Sequence, residues 1–590
     1  MSQWILINKK ADFTALAKAN GIDRVTARIM INRGIAEEDF DAYLNPSLDQ
    51  IRDPHDLKDI DKAADLLSEA IDRGEKIRII GDYDIDGIQS TYILHKALLT
   101  CRGRVDYVLP NRIKDGYGLN PHLVDRAGED GISCIITCDN GISAGEAVAR
   151  AKDLGMTVIV TDHHEVPFVL VDGKKLEKLP AADAIVNPKQ ADCPYPFKGI
   201  CGAVVAWKLV FVLYEKRGIP VMRALDFLEN AAFATVGDVM QLVDENRSIV
   251  ALGLERLRKT QNPGMAALMR VREIVPDRLT AHQIGFVLGP CLNAAGRLKG
   301  ADISVELLEA RDQKRADLLA EELASLNEIR QDMTQKGLEA AFDQIRDRGY
   351  EKDRVLLLYL PDLHESIAGL VAGKVKEGLG HPCFVLTDTA TEGVVKGSGR
   401  SIPPYSMYEE MSRCGDLMIG FGGHPMAAGL SLRRENIDSL RESLNANCRL
   451  TEEDLIPKVY IDVPMPLDYI SIPLVRELKR LEPFGNGNVK PLFALRHVPV
   501  RSLRTIGRDG QYLAFSLRTG SSDMAGVYFG DSRAFASAVD RAYGDGAWED
   551  FLDGFRRDLK VRMVYEAQIN AYRGRESLQV VIREIEPDRE

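Results

Sequence analysis

The sequence predicts a multidomain α/β protein: a parallel, doubly wound sheet, a long connector helix, a second α/β region and a small C-terminal antiparallel β-barrel. Three observations carry this. Between about residues 75 and 240, short apolar runs at 76–80, 104–109, 133–137, 157–161 and 184–186 alternate with helical stretches. Parallel strands covered on both faces read this way. From 304 to 348, Leu319, Leu323, Leu326, Ile329 and Met333 recur at helical spacing among charged residues. Beyond about residue 455 the texture turns to alternating runs, Leu513-Ala514-Phe515-Ser516-Leu517 and Leu578-Gln579-Val580-Val581-Ile582 among them. Such runs suit a barrel.

Each region follows in order. Residues 1–50 read as a small helical lead-in and 51–303 as the first α/β domain. The stretch 304–348 reads either as one connector of roughly 68 Å at ~1.5 Å per residue, or as two consecutive helices broken near Gly337. Residues 349–452 form the second α/β region, opening with Val355-Leu356-Leu357-Leu358-Tyr359-Leu360, and 453–590 the barrel. At 590 residues the chain exceeds a single core.

Composition excludes several classes. No apolar run approaches the ~18 residues of a membrane helix, and the N-terminus lacks the basic-then-apolar order of a signal peptide. A cytoplasmic protein without membrane association is expected. Nine scattered cysteines contain no CxxC pair, which fits neither a disulfide framework nor a zinc knuckle. The net charge of -12 argues mildly against a coat of nucleic acid, yet residues 491–520 hold five arginines (496, 501, 504, 508, 518) against one acid, Asp509. Local charge is the better guide.

The chemistry concentrates at strand ends. Asp82, Asp84 and Asp86 follow the first apolar run, Asp139 follows Ile135-Ile136-Thr137-Cys138, and Asp162-His163-His164 follows Val158-Ile159-Val160-Thr161. Parallel strands bring these ends to one edge, where open α/β sheets build their sites. Carboxylates so placed cannot be buried unpaired, so a cation is expected; an adjacent Asp-His pair adds the mixed O/N ligands that Mn²⁺ accepts. A calcium loop is excluded because its twelfth position is Ile93. The haloacid-dehalogenase nucleophile motif is disfavoured by Ile88. Asp238 has no distinguishing context, and helix capping is its default role. Arg400 with Ser398 among glycines reads as an anion cradle or a tight turn, Asn293-Ala294-Ala295-Gly296-Arg297 reads similarly, and His424 sits in a Gly-Gly-His-Pro turn.

Together these segments resemble the DHH phosphoesterase superfamily, specifically its single-strand-specific exonuclease branch. Gly81-Asp82-Tyr83-Asp84-Ile85-Asp86-Gly87 is similar to the first motif, Cys138-Asp139-Asn140-Gly141 to the second, Asp162-His163-His164 to the third and Gly237-Asp238-Val239-Met240 to the fourth. Pro110-Asn111-Arg112, Gly116-Tyr117-Gly118-Leu119 and residues 293–297 resemble stretches of the exonuclease branch; 396–401 and 422–429 resemble the DHH-associated domain. Residues 481–488 and 569–575 resemble its OB-fold module.

The resemblance implies two Mn²⁺ or Mg²⁺ ions on Asp84, Asp86, Asp139, Asp162, His163 and Asp238, with Asp139 or Asp162 bridging and His164 on phosphate. Many members carry a His where this chain has Ile80, which leaves the first ion one ligand short, with Asp82 or water to substitute. Cys291, Ser366 and Ala368 also depart from the pattern. The implied activity is 5′-to-3′ hydrolysis of single-stranded DNA to mononucleotides in repair and recombination, with a helicase and a single-strand-binding protein as partners. Arg297, Ser398 and Arg400 would grip the terminal phosphate, with Arg112 and His424 on neighbouring ones. The alternatives are a phosphodiesterase for short oligonucleotides or cyclic dinucleotides, and a catalytically silent nucleic-acid scaffold.

Overall fold

The structure is a computed structural model that describes all residues except Met1, Ile113, Lys114, Tyr117, Gly173, Ser521, Arg573 and Glu590. Tyr117 and Arg573, both in stretches singled out above, therefore lie outside the described residues. The chain divides into two compact units, Met1–Pro46 with Pro457–Phe484 and Asn488–Glu590, and Ser47–Ile456 with Gly485–Gly487.

In the larger unit the first sheet is built from β1 (Lys76–Ile80), β2 (Arg104–Val108), β3 (Cys134–Cys138), β4 (Thr157–Thr161) and β5 (Ala184–Val186). Its order is β2-β1-β3-β4-β5 and every pairing is parallel. Strand parity explains the continuous apolar runs. Ile77, Ile79, Cys134, Ile136 and Ile159 enter one core layer, while Ile80, Ile135, Val158 and Val160 enter the opposite one. Arg78 is the buried charged residue of β1, and Asp106 and Asp130 at 2.7 and 2.8 Å satisfy its guanidinium. The order reverses between β1 and β3, so the crevice at their carboxyl ends is a topological switch point.

The connector is shorter than the 304–348 stretch suggests. Asp302–Glu309 forms its own helix, and α1 (Gln313–Arg348) follows with Asp312 as its N-cap. Gly337 does not break α1: a Cβ there would fall 2.7 Å from Leu363 and 2.9 Å from Val371, so the glycine permits close packing. At ~1.5 Å per residue the 36-residue helix is about 54 Å long. Leu319 and Leu323 belong to the core of the first sheet, and Ala341 and Ile345 to that of the second.

The second sheet contains β6 (Leu356–Tyr359), β7 (Cys383–Asp388), β8 (Val394–Arg400), β9 (Met418–His424) and β10 (Ala427–Arg433), in the order β9-β10-β8-β7-β6. Residues 396–400 thus lie in a strand rather than a turn, and the glycine enrichment there has a packing origin. A Cβ on Gly397 would meet Leu386 at 2.4 Å, and one on Gly399 would meet Met407 at 2.6 Å. His424 likewise ends a strand, paired with Ala427.

The smaller unit is a closed five-stranded barrel of β11 (Phe493–Ile506), β12 (Tyr512–Thr519), β13 (Ser522–Tyr528), β14 (Lys560–Tyr572) and β15 (Arg575–Pro587), in the cyclic order β11-β12-β13-β15-β14. Register shifts between Leu495 and Val498 and between Val500 and Ser502 let β11 serve two neighbours. Phe515 is buried against Phe535 and is barrel core, whereas Tyr512 is half-buried. All five arginines of 491–520 are exposed.

Residues 1–46 are not a separate lead-in: the strand Gln3–Leu6 pairs in parallel with Lys458–Ile461, and Ile29, Met30 and Phe40 share one core with Phe493, Leu513 and Tyr565. Among the described residues no helix is long and apolar enough to cross a membrane. Phe40→Ala should cost the barrel unit about 3–5 kcal/mol. Hydrogen exchange checks this: amides of β14 should lose protection, and unchanged protection would separate the N-terminal segment from the barrel core.

Candidate metal centre and anion cradle

The edge of the first sheet gathers the acids by backbone geometry. After β1 the chain turns so tightly that a Cβ on Gly87 would sit 2.5 Å from the Asp82 carbonyl oxygen. Asp84 then caps the helix Ile85–Thr100, its Oδ1 accepting from the backbone N–H groups of Asp86 and Gly87 at 3.0 and 3.1 Å. The Asp86 carboxylate lies at the N-terminus of the helix Gly202–Lys216 and accepts from Gly202 and Ala203 N–H at 2.6 and 2.8 Å. This is the position where a helix favours an anion. Asp139 follows β3 in the left-handed region, φ 62°, and Gly202 leaves room for it: a Cβ there would lie 2.8 Å from that of Asp139.

Asn140 ties the strand ends together, donating to the carbonyls of Ile80 and Cys138 at 3.0 and 2.9 Å and accepting from Leu119 N–H. Asp238 arrives from a separate element, at the C-terminus of Leu228–Gly237.

His163 is the meeting point. Its Nε2 lies 3.1 Å from Asp139 Oδ1, 3.5 Å from Asp86 Oδ2 and 3.7 Å from Asp238 Oδ2. Among the described residues three sets of ligand atoms each fall within 4.8 Å: Asp139, His163 and His164; Asp86, His163 and Asp238; and Asp82, Asp84 and Asp139. Asp162 is held differently. Its oxygens accept from the N–H groups of Ile142, His163 and His164 and from His164 Nδ1, at 2.7 to 3.1 Å.

The electrostatics separate these groups. Burial, then the charge of Asp84, pushes Asp82 well above the usual carboxylate range; burial, then Asp86 and Asp84, does the same to Asp139. Burial and the same two charges push Asp238 up to about 8. Burial would also raise Asp162, but the hydrogen bond and charge of His164 hold it low. Burial opposes the His164 imidazolium, yet Asp162 and the charges of Asp84 and Asp238 keep its pKa at about 9. His163, the more deeply buried, is pushed down. The donor set fits a hard divalent cation: it is mostly carboxylate oxygen with imidazole, and Asp82 Oδ1 is buried without a hydrogen-bond partner among the described residues.

Beside the acids stands the opposite imbalance. Burial and the charges of Arg112, Arg330 and Arg400 push Arg297 down to about 10, and burial with Arg112 lowers Arg400. Arg112 lies over the Tyr83 ring at 5.0 Å, and Asp84 is the acid felt by Arg297. Arg400 donates to Ser398 Oγ at 2.9 Å, and both line the first turn of the helix Ala368–Leu379, where a Cβ on Gly369 would lie 2.8 Å from Arg400 Nη2. Arg297 spans to the second α/β region by donating to the Ser366 carbonyl at 2.7 Å. A helix N-terminus, a hydroxyl and two guanidiniums are thus gathered within a few residues of one another, the kind of donors that bind anions.

The structure brings Asp82, Asp84, Asp86, Asp139, Asp162, His163, His164 and Asp238 together, and groups Arg112, Arg297, Ser398 and Arg400 next to them. His424 stands at the margin, where its charge is felt by Glu165. Three residues escaped the sequence reading. Lys189 follows β5, pairs with Glu165 at 2.9 Å and acts on Asp238 and His163. Its place after a strand of the same edge was the available signal. Arg330 sits on α1 among other charged residues and Asn140 inside a quoted motif, with nothing in composition to mark either.

The family models matching the chain are the DHH family, N-terminal domain, over residues 76–235, the DHHA1 domain over 352–450 and the RecJ OB domain over 461–584. The single-stranded-DNA-specific exonuclease RecJ of Bacillus subtilis is 34% identical across 95% of this chain and 68% of that protein. The enzyme of the same name from Salmonella typhimurium is 33% identical across 99% of both. The crystal structure of RecJ in complex with Mn²⁺ from Thermus thermophilus matches 99% of this chain and 79% of its own, with a TM-score of 0.81 at 26% identity. With sequence similarity of this extent, the same fold and the acids and arginines side by side, the chain belongs to the RecJ family of DHH phosphoesterases.

Proposed function

We propose that the chain is a metal-dependent exonuclease that hydrolyses single-stranded DNA from its 5′ end and releases 5′-mononucleotides. The observation that carries this reading is the nearness of two opposite imbalances: buried and half-buried carboxylates short of cations beside half-buried guanidiniums short of anions. A strand ending in a 5′ phosphate complements both. Arg297, Arg400, Ser398 and the first N–H groups of Ala368–Leu379 hold the terminal phosphate, and Arg112 and His424 contact neighbouring ones. The adjacent linkage then lies over the acids, so one nucleotide separates the held end from the bond to be cut.

Asp84, Asp86, Asp139, Asp162, His163 and Asp238, with Asp82 in place of the imidazole absent at Ile80, are the residues that would hold Mn²⁺ or Mg²⁺. Two such ions supply an activated water and charge to offset the leaving oxygen. Asp162 fixes His164 through Nδ1, and the imidazolium so maintained is a donor for a phosphate oxygen. The exposed arginines of β11 and β12 bind further strand by its phosphates. The setting proposed is DNA repair and recombination in the cytoplasm, with a helicase exposing the strand and a single-strand-binding protein covering it.

Three outcomes test this. Asp139→Ala and Asp162→Ala should each lower Mn²⁺-dependent digestion of long 5′-phosphorylated single strands by at least about 100-fold while far-UV circular dichroism stays native; faster cleavage of dinucleotides than of long strands by the unaltered chain, or equal cleavage of duplex, would sink the reading. Arg400→Ala should erase about tenfold of the preference for 5′-phosphate over 5′-hydroxyl ends, as expected for a charge-assisted contact. An unchanged preference removes Arg400 from the cradle.

The third concerns pH. Asp238 has a folded pKa of about 8 against an ordinary 3.8, so the folded state binds more protons than the unfolded one between these values. In chelator, stability should therefore fall as pH rises from about 4 to about 8. Urea unfolding should show this slope reduced in Asp238→Asn and relieved by Mn²⁺. An identical slope in the variant would mean that Asp238 does not share the buried charge.

A further inference from the structure

The helix that delivers Arg297 carries a ridge of which the cradle uses only that last residue. Between residues 281 and 298, His282, Phe286, Pro290, Asn293 and Arg297 are exposed or half-exposed and follow at intervals of four, four, three and four. This spacing makes one continuous side of a helix. Ile284, Leu288 and Leu292, lying between them, are core.

The start of the ridge is irregular for a chemical reason. Ile284–Leu288 is a π-helical turn. Pro290 has no N–H to give the Phe286 carbonyl and its ring crowds that oxygen, so the turn widens. There Phe286 is 71% exposed and lies nearly flat on His282, with centroids 4.6 Å apart and planes at 25°. One face of the phenyl ring is covered by imidazole, and the other meets no second ring among the described residues.

The face next to the ridge packs on the elements that carry the acids. A Cβ on Gly285 would lie 3.7 Å from Val236, two residues before Asp238, and one on Gly289 would lie 2.9 Å from Ile85, the neighbour of Asp84. Gly296 abuts the Tyr83 carbonyl, and Arg297 enters the cradle. Asn293 Oδ1, midway, is buried without a hydrogen-bond partner among the described residues. From Arg297 to Phe286 the helix rises about 16 Å. That distance equals about five nucleotides of stacked strand at ~3.4 Å each, and fewer if the strand is drawn out.

We propose that Phe286, backed by His282, is a stacking platform for a base two to six nucleotides from the 5′ end. The inference rests on the reading of the site as a single-strand exonuclease. A nucleobase is the occupant favoured over an apolar protein segment because the ring ends a ridge whose other end is a guanidinium cluster, with the acids alongside. Stacking on one aromatic face is tolerant of sequence, which suits a strand that moves past it.

The test uses the full chain in chelator with 5′-phosphorylated 12-nucleotide strands carrying 2-aminopurine at one of positions two to six. At one position, binding should quench the fluorescence; Phe286→Ala should abolish that quenching and weaken affinity about tenfold, and Phe286→Trp should retain both. In Mn²⁺, Phe286→Ala should raise KM for the 12-mer about tenfold with kcat within about twofold. Strand binding by the unaltered chain with quenching unchanged in Phe286→Ala at every position overturns the platform alone. Failure of the unaltered chain to bind any single strand overturns the exonuclease reading, and the platform with it.

Discussion

Like charge held at one sheet edge is the constraint on which the rest of the larger unit depends. Two unit charges 4 Å apart repel by about 4 kcal/mol at an effective dielectric of 20, and Asp82, Asp84 and Asp139 have ligand atoms within 4.8 Å of one another. Much of the local architecture spreads this load. Asp86 is placed on a helix N-terminus, Asp84 serves as a cap, and Asp162 is enclosed by donors. Asp139 takes a left-handed backbone that few residues other than glycine adopt readily. What this scaffolding leaves unneutralised is concentrated on Asp82, Asp139 and Asp238, whose pKa values rise. The site suits cations because backbone N–H groups and helix ends hold the acids in place around what charge remains.

The cradle obeys the same logic with the sign reversed, and its composition explains how two lobes make one site. Arg297 comes from the first α/β region and Arg400 and Ser398 from the second, with α1 contributing core residues to both. Neither guanidinium has a carboxylate within ion-pair distance among the described residues. Arg297 instead donates to a carbonyl, and Arg400 to a hydroxyl and a carbonyl. Neutral acceptors orient a guanidinium without discharging it, so its charge stays available to an incoming anion. In the proposed reaction the distance from cradle to acids then acts as a ruler for product length, and rigidity of α1 matters as much as the chemistry at either end.

What could be read in the sequence depends on how local each cause is. Asp84, Asp139 and Asp162 were legible because alternation of apolar runs and helices implies parallel strands, and parallel strands have a shared carboxyl edge. Asp238 was not, since it reaches the site from a helix end whose position is set by tertiary packing; only the resemblance pointed to it. The glycines near Arg400 suggested a loop, but their role is close packing against Leu386 and Met407, which one strand's sequence cannot express. Residues 1–46 looked like a lead-in because their partners lie more than 400 positions away, as in the pairing of Gln3 with Lys458. Gly337 marks close packing on Leu363 and Val371, a tertiary cause, whereas the break at 310–312 is local and carries its own signal in the Asp312 cap.

In the proposed centre, Asp82 would supply the ligand that the resemblance places at Ile80. The Ile80 side chain enters the apolar layer with Leu119 and Leu123, so no donor at that position faces the acids. Asp82, past the end of the strand where the chain turns, is buried beside Asp84 and Asp139 instead. A carboxylate serving where a neutral imidazole is expected would change more than geometry, adding a negative charge to a place already short of positive ones. It also makes the set of Asp82, Asp84 and Asp139 an all-oxygen one, while Asp86, His163 and Asp238 retain a nitrogen. Hard oxygen sets accept Mg²⁺ and Mn²⁺ alike, whereas imidazole favours the softer Mn²⁺. The two halves of the proposed centre are therefore chemically unequal, and the all-oxygen one, where like charge is densest, would gain the more from a cation.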